Sequence, residues 1–153
     1  MLKLKSCGVM LFRSDGKEFL ILHHPDRCDL PKGHIKEGET DIECVFRELQ
    51  EETGFTAQDV VLDPHFRYES TYYPRYNRFG DKKVEKTIVI YLGWLITEHE
   101  IKLGEHVGFE WMQWAPPHHF QEKTIYEVLK KLENSQAHFA KPTAKPNNKE
   151  SGH

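Results

Sequence analysis

One short acidic segment constrains this chain more than any other part of its sequence. Residues 33–55, GHIKEGETDIECVFRELQEETGF, carry seven carboxylate side chains but only two cationic ones. The apolar residues of this segment fall on one face of a helix, at Ile42, Val45, Phe46 and Leu49. The pattern predicts a helix that Thr40 or Asp41 caps at its start and that Gly54 ends.

Three glutamates, Glu48, Glu51 and Glu52, would project together from the face of this helix opposite the apolar residues. Like charges within one turn repel each other, and a bound divalent cation would offset that repulsion. Mg²⁺ takes oxygen ligands and commonly combines one or two carboxylates with substrate phosphates. A solvated acidic face is the ordinary explanation for such glutamates taken alone, so the spacing of the flanking residues has to decide.

Composition and charge narrow the class of protein. With 153 residues, of which 38% are hydrophobic, the chain can bury the core of a single domain. Its formal net charge is -3 and it has no basic stripe, which argues against nucleic acid as the principal partner. The three cysteines form no C-x-x-C pair, and no apolar run is long enough for a signal segment or a membrane span. We therefore predict a soluble, cytoplasmic protein with no membrane partner.

Apolar runs of strand length alternate with turn signals along the rest of the sequence. Asp15-Gly16 predicts a hairpin, and periodicity predicts the remaining strands and a second helix. The predicted strands are 6–13, 18–24, 60–70, 86–96 and 108–114, a loop covers 29–34, and the second helix runs from about Phe120 to Glu133. This order indicates an α/β or α+β fold in a domain of residues 1–135. Residues 136–153 are polar and contain proline, which predicts a disordered tail.

The spacing of the acidic segment matches the signature box of the Nudix hydrolases at every defined position. The order is Gly33, five residues, Glu39, seven residues, Arg47-Glu48-Leu49, one residue, Glu51-Glu52, one residue, Gly54-Phe55. A chance match of this kind is expected on the order of once in 10⁹ start sites. The match strongly disfavours the solvated acidic face, and the chain resembles a Nudix hydrolase.

The resemblance implies an α/β fold, a three-layer α/β/α sandwich with a mixed sheet. It also implies hydrolysis of a nucleoside diphosphate linked to another group, so a small-molecule nucleotide is the expected partner. By that likeness Glu48, Glu51 and Glu52 bind Mg²⁺ or Mn²⁺, and Gly33 brings its carbonyl near the metal.

The same likeness gives the catalytic roles to Glu51, Glu48 and Arg47. Arg47 would pair with a carboxylate of the box and orient it, and Glu39 would be structural. A carboxylate near the metal can take a proton from the water nucleophile. The spacing leaves open which glutamate is that base.

Three stretches, one overlapping the start of the box and two outside it, resemble the asymmetrically cleaving diadenosine tetraphosphate hydrolases, the bis(5'-nucleosyl)-tetraphosphatases. They are LPKGH at 30–34, KT at 86–87 and EHVGFEW at 105–111. This likeness implies that Lys32, His34 and Lys86 face the polyphosphate and that Glu105 is a further metal ligand or base from a loop.

A segment rich in tyrosine and arginine, YESTYYPRYNRFG at 68–80, is the candidate for recognition of a base. Aromatic faces stack on nucleobases, and arginines pair with phosphates. We predict that Tyr73 and Tyr76 contact the substrate, while ordinary aromatic packing at a strand end is the alternative.

The predicted reaction is asymmetric cleavage of diadenosine tetraphosphate to ATP and AMP. The alternative within enzymes is another Nudix substrate, such as an oxidised nucleoside triphosphate or another nucleoside diphosphate derivative. An inositol pyrophosphate is disfavoured because it would need a denser set of lysines and arginines, and a long RNA is disfavoured by the small acidic chain. A catalytically dead nucleotide-binding module is the alternative from another class, and the complete set of box glutamates argues against it.

Overall fold

The computed structural model describes residues 1–74, 83–106 and 108–135. Within these ranges the elements are β1 Leu2–Phe12, β2 Glu18–His23, β3 Cys28–Asp29, β4 Lys32–His34, α1 Asp41–Thr53, β5 Val60–Tyr72, β6 Val84–Leu95, β7 Gly108–Gln113 and α2 Lys123–Glu133. The predicted second helix begins at Lys123, a few residues later than the sequence suggested. The predicted loop at 29–34 contains β4 and the end of β3.

All seven of these strands join one mixed sheet in the order β3-β2-β1-β6-β5, with β4 paired to β1 and β7 paired to β2. Strands β1 and β6 run parallel from Leu2 opposite Val84 to Phe12 opposite Trp94. The remaining pairs are antiparallel. The prediction of a mixed sheet is confirmed.

The two faces of the sheet carry two separate hydrophobic cores, because neighbouring side chains of a strand point to opposite faces. On β1, Met10 belongs to the core that α2 covers, and the adjacent Val9 belongs to the core that α1 covers. The buried face of α2 consists of Ile125, Val128, Leu129 and Leu132, as predicted. The sheet therefore lies between two helices, which is the predicted three-layer α/β/α arrangement.

Helix α1 begins and ends where its sequence indicates. The Thr40 hydroxyl accepts a hydrogen bond from the Glu43 backbone N–H, and the Glu43 side chain accepts one from the Thr40 N–H. This capping box makes Thr40, rather than Asp41, the N-cap. At the other end Gly54 takes a φ of 87°, a left-handed conformation that favours glycine, and its N–H donates to Gln50 O.

Pro64 does not divide β5 into two strands but marks a bulge in it. The register against β6 shifts between Leu62 and Arg67. Within the bulge, the Asp63 carboxylate accepts hydrogen bonds from the N–H groups of His65 and Phe66, which satisfies donors that the sheet leaves open. A bulge of this kind accommodates a proline inside a long strand.

The predicted tail, residues 136–153, and Tyr76 lie outside the described residues. Among the residues that the structure describes, no helix is both long and apolar enough to cross a membrane.

Candidate active site

A cavity of about 1160 Å³ opens where β4, the acidic face of α1, the loop before β7 and the start of α2 meet. Most of the residues singled out in the sequence line it. They are Lys32, Gly33, His34, Arg47, Glu48, Glu51, Glu52, Lys86 and Glu105. The fold thus brings together positions that are more than 70 residues apart in the sequence.

Arg47 is the centre of the polar network in this cavity. Its Nε and Nη2 donate to the two carboxylate oxygens of Glu39, at 2.5 and 3.0 Å. Its Nη1 donates to Glu48 Oε1 at 2.8 Å and contacts Glu51 Oε1 at 3.4 Å, while Nη2 also donates to the His34 carbonyl at 2.9 Å. The paired hydrogen bonds from Arg47 lower the pKa of Glu39 to about 2, so this carboxylate stays ionised.

Gly33 allows the carboxylate of Glu48 to lie directly against the backbone of β4. A Cβ atom at position 33 would stand 2.1 Å from Glu48 Cδ, so a side chain there would displace the Glu48 carboxylate. The Gly33 carbonyl, a predicted metal ligand, accepts a hydrogen bond from the Cys44 thiol at 3.4 Å. Packing of this density holds Glu48 at a fixed place on the cavity wall.

Glu52 differs from its neighbours because its carboxylate is buried. Burial, followed by repulsion from Glu48 and Asp29, raises the pKa of Glu52 to about 8. Its Oε2 lies 3.2 Å from Nε2 of His106, whereas Oε1 is buried and has no hydrogen-bond partner among the described residues. A carboxyl oxygen in this condition lacks the partner that would stabilise its ionised form.

The donor chemistry of this region fits a hard divalent cation, even though its carboxylates are not gathered around one point. Among the described residues no group of three or more acidic, histidine or cysteine side chains forms a ready metal site. Glu48 is held by Arg47, and Glu51 is 56% exposed. Yet Glu48 and Glu52 line one cavity, Oε1 of Glu52 has no partner among the described residues, and carboxylate oxygens are the ligands that Mg²⁺ and Mn²⁺ prefer.

Several carboxylates of the acidic segment are neutralised by the protein itself. Asp41 pairs with Lys5 at 2.7 Å and with Arg67 at 3.1 Å, and Glu39 pairs with Arg47. The sequence did not indicate these partners of Asp41, because they come from β1 and β5. Part of the repulsion within the acidic segment is therefore offset by the protein's own cationic side chains.

The predicted phosphate-binding cations line the cavity, and each has a partner. Lys86 is buried, and its Nζ lies 2.8 Å from Ser6 Oγ and 3.4 Å from His34 Nε2. Lys32 donates to Asp29 Oδ2 at 2.8 Å. Sequence reasoning missed both partners: Ser6 reaches Lys86 only through the pairing of β1 with β6, whereas Asp29 is a local partner, three residues before Lys32.

The aromatic side chain in the cavity is Tyr72, and Tyr73 does not line it. Tyr72 pairs with Lys86 across β5 and β6 and shares its face of the sheet. Tyr73 is 58% exposed, and its hydroxyl lies 3.5 Å from Glu85 Oε1. Tyr72 rather than its neighbour Tyr73 therefore lines the cavity, because consecutive strand residues face opposite sides, and a contact of Tyr73 with substrate stays a prediction.

The loop before β7 brings two neighbouring residues to the cavity. Glu105, the predicted loop ligand, is exposed and lines the cavity wall. His106 is the residue that contacts Glu52, and its ring packs against that of His24 with centroids 4.4 Å apart. The sequence alone did not single out His106, because its contact with Glu52 joins distant segments of the chain.

Comparison with known proteins adds independent information on this arrangement. The profile of the NUDIX domain matches residues 2–136. The asymmetrical bis(5'-nucleosyl)-tetraphosphatase of Rattus norvegicus is 34% identical over 122 residues, covering 71% of this chain and 78% of the relative. The RNA pyrophosphohydrolase of Hydrogenovibrio crunogenus is 29% identical over 141 residues, covering 82% and 86%.

Solved structures agree on the fold. The binary complex of a C. elegans Ap4A hydrolase superimposes with a TM-score of 0.68 at 23% identity, covering 86% of this chain and 96% of that one. The E. coli dihydroneopterin triphosphate pyrophosphohydrolase superimposes with a TM-score of 0.62 at 19% identity, covering 88% and 100%. The predicted fold and the predicted likeness to diadenosine tetraphosphate hydrolases are both confirmed. The chain belongs to the Nudix family and is a Nudix pyrophosphohydrolase.

Proposed function

We propose that this protein hydrolyses diadenosine tetraphosphate asymmetrically, to ATP and AMP, with Mg²⁺ or Mn²⁺ as its cofactor. The observation that carries the proposal is the order of groups along one cavity. Glu48 of α1 lies against Gly33, whose neighbour in the chain is His34, His34 in turn contacts Lys86, and Tyr72 pairs with Lys86 across the sheet. The similarity to asymmetrical bis(5'-nucleosyl)-tetraphosphatases supports the same substrate.

In the proposed mechanism Glu48, Glu51 and Glu52 would hold the cation, with Glu105 as a further ligand from the loop. The bound cation would neutralise charge on the polyphosphate and lower the pKa of a water nucleophile. Arg47 fixes Glu48 through its 2.8 Å hydrogen bond, so that this carboxylate is oriented before substrate arrives. Glu48 or Glu51 is the base that takes the proton of the water.

The cations of the cavity give the substrate a defined position. Lys86 is buried and oriented by Ser6, and it contacts His34, so both can donate to phosphate oxygens at one place. A tetraphosphate would be bound by these two side chains and by the cation that the carboxylates hold. These contacts lie to one side of its centre, so its two halves become inequivalent. Tyr72, beside Lys86, offers an aromatic face to a base.

A second candidate substrate class is a nucleoside triphosphate, with an intact or an oxidised base, or the triphosphate end of an RNA. The specific observation behind it is the similarity to an RNA pyrophosphohydrolase, which covers 82% of this chain. The same carboxylates and cations would act on such a substrate, and only one base would need to be accommodated.

Identification of the products decides between these substrates. The protein is incubated with diadenosine tetraphosphate, or with nucleoside triphosphates at equal concentration, in oxygen-18 water and Mg²⁺. We expect ATP and AMP from the dinucleotide, with the label on one product only, because water attacks a phosphorus next to one adenosine. Two ADP molecules, or faster turnover of a nucleoside triphosphate, would rule out the proposed substrate.

We further propose that residues 1–135 form the whole catalytic domain. The match of the NUDIX profile to residues 2–136 supports this boundary. Truncation after Ser135 should leave the melting temperature and the turnover number nearly unchanged, because the removed segment contains Phe139 as its only large apolar residue. Thermal melting and product release of the truncated chain check this, and a fall of several degrees would show that the removed segment docks on the domain.

A further inference from the structure

The loop between β6 and β7 lies along the last turn of α1. The Lys102 backbone N–H donates to the Thr53 carbonyl at 3.0 Å. Two residues later, Gly104 lies so close to α1 that a Cβ atom there would come within 2.7 Å of the Glu51 carbonyl oxygen. These two contacts fix where the loop crosses the acidic face of α1, beside its last turn.

In this position the loop places the imidazole of His106 against Glu52. The His106 side chain is 7% exposed, and its Nε2 lies 3.2 Å from Glu52 Oε2. Once a cation binds and Glu52 is ionised, its carboxylate can only accept hydrogen bonds, so Nε2 would be the donor of this contact. The ring of His24, 4.4 Å away between centroids, packs against the other side of the imidazole.

The contact engages only one oxygen of the carboxylate. Glu52 Oε1 is buried and, within the part of the chain that the structure describes, has no hydrogen-bond partner. A buried polar atom without a partner is unfavourable and uncommon in folded proteins. With Oε2 held by the loop, Oε1 is the oxygen left to take another ligand.

We propose that His106 is a positioning residue that holds Oε2 of Glu52 so that Oε1 is presented to the divalent cation. This inference rests on the proposed metal-dependent function, and it gives His106 a task separate from that of its neighbour Glu105. Partners that orient a metal ligand commonly change metal affinity by about 10- to 100-fold when they are removed. The alternative is that His106 only fastens the loop to the helix.

Direct measurement of Mn²⁺ binding separates the two explanations, because it needs neither substrate nor turnover. Free Mn²⁺ is quantified by electron paramagnetic resonance during titration of the full chain. His106→Leu should weaken Mn²⁺ binding about tenfold or more, whereas His106→Gln should bind nearly as the parent does, because its amide nitrogen can replace Nε2. The amide of His106→Asn is too short to reach Glu52, so this variant should weaken Mn²⁺ binding as His106→Leu does. It replaces the leucine variant in the test if His106→Leu does not fold.

A control on the same loop is His99→Gln, since His99 contacts Asp59 and the Glu100 carbonyl and does not touch Glu52. We expect this variant to keep parental Mn²⁺ affinity even if its melting temperature falls. Equal Mn²⁺ affinity of the parent, His106→Leu and His106→Asn would overturn the inference, and so would equal weakening by His106→Gln and His106→Asn.

A double-mutant cycle distinguishes failure of this inference from failure of the proposed function. In a Glu52→Gln background, His106→Leu should cause no further loss of Mn²⁺ affinity, because the oxygen that it orients is no longer a ligand. If Glu52→Gln alone binds Mn²⁺ as the parent does, the proposed metal site is wrong and the inference falls with it. If Glu52→Gln weakens binding but His106→Leu and His106→Asn do not, only the role of His106 is wrong.

Discussion

Glu52→Gln is expected to lower the turnover number by about 10²- to 10⁴-fold while the melting temperature stays the same or rises. Activity falls because the variant lacks a carboxylate that we propose as a metal ligand. Stability does not fall, because Glu52 is buried beside Glu48 and Asp29, and its pKa of about 8 shows that its ionised form is unfavourable in the fold without a cation. A neutral amide of the same shape carries neither the cost of a buried charge nor that of protonating the carboxyl.

The matched control is Glu37→Gln, which makes the same chemical change at an exposed position of the box. Its turnover number and melting temperature should equal those of the parent. Steady-state kinetics at saturating Mg²⁺ and thermal melting of both variants complete the test. Near-parental turnover of Glu52→Gln would show that this glutamate is not required for the reaction.

Arg47→Met is expected to lower both activity and the free energy of unfolding, the latter by about 2–4 kcal/mol. The guanidinium donates to Glu39, Glu48 and the His34 carbonyl, so its removal leaves a largely buried carboxylate and a carbonyl without their donor. Turnover should fall as well, because Glu48 is no longer held. Urea unfolding and steady-state kinetics measure the two effects.

The ion pair of Arg47 with Glu39 also predicts a pH dependence. The pKa of Glu39 is lowered by Arg47 from an ordinary value of 4.5 to about 2, so the folded protein holds this proton less tightly than the unfolded chain does. The contribution of the pair to stability is fully present above about pH 4.5 and is lost as the pH falls towards 2. The stability difference between the parent and Arg47→Met should therefore shrink on acidification.

Arg47→Lys is the matched variant for this network, because it keeps the charge and lacks the paired donors. It should recover part of the stability and little of the turnover. An unfolding free energy of Arg47→Met that equals the parental value at neutral pH, or a difference that is independent of pH, would contradict the account of this ion pair.

Sequence reasoning reached the parts of the site that depend on local spacing. The caps of α1 and the common face of its glutamates follow from the periodicity of one helix, so Thr40 and Gly54 were identified correctly as caps. The choice between Tyr72 and Tyr73 depends on the register of β5 against β6, and a shift of one residue reverses the face. The contacts of Ser6 with Lys86 and of His106 with Glu52 join distant segments, so no local pattern could indicate them.

The sequence likewise indicated only in part how the acidic residues of the box are neutralised. A bound cation was the expected source of neutralisation, and it remains the proposal for the glutamates that face the cavity. The charge of Asp41, however, is neutralised by ion pairs with Lys5 from β1 and Arg67 from β5, which lie far from it in the chain. Such pairs are set by tertiary structure and escape any local pattern.

The parallel pairing of β1 with β6 makes completion of the cavity a late event in folding. Leu2 lies opposite Val84, and Ser6 reaches its hydrogen-bond partner Lys86 only after a separation of 80 residues. Non-local strand pairs close large loops and slow the folding of small domains. A chain emerging from the ribosome therefore cannot assemble Lys86, His34 and Ser6 of the cavity before β6 has been synthesised.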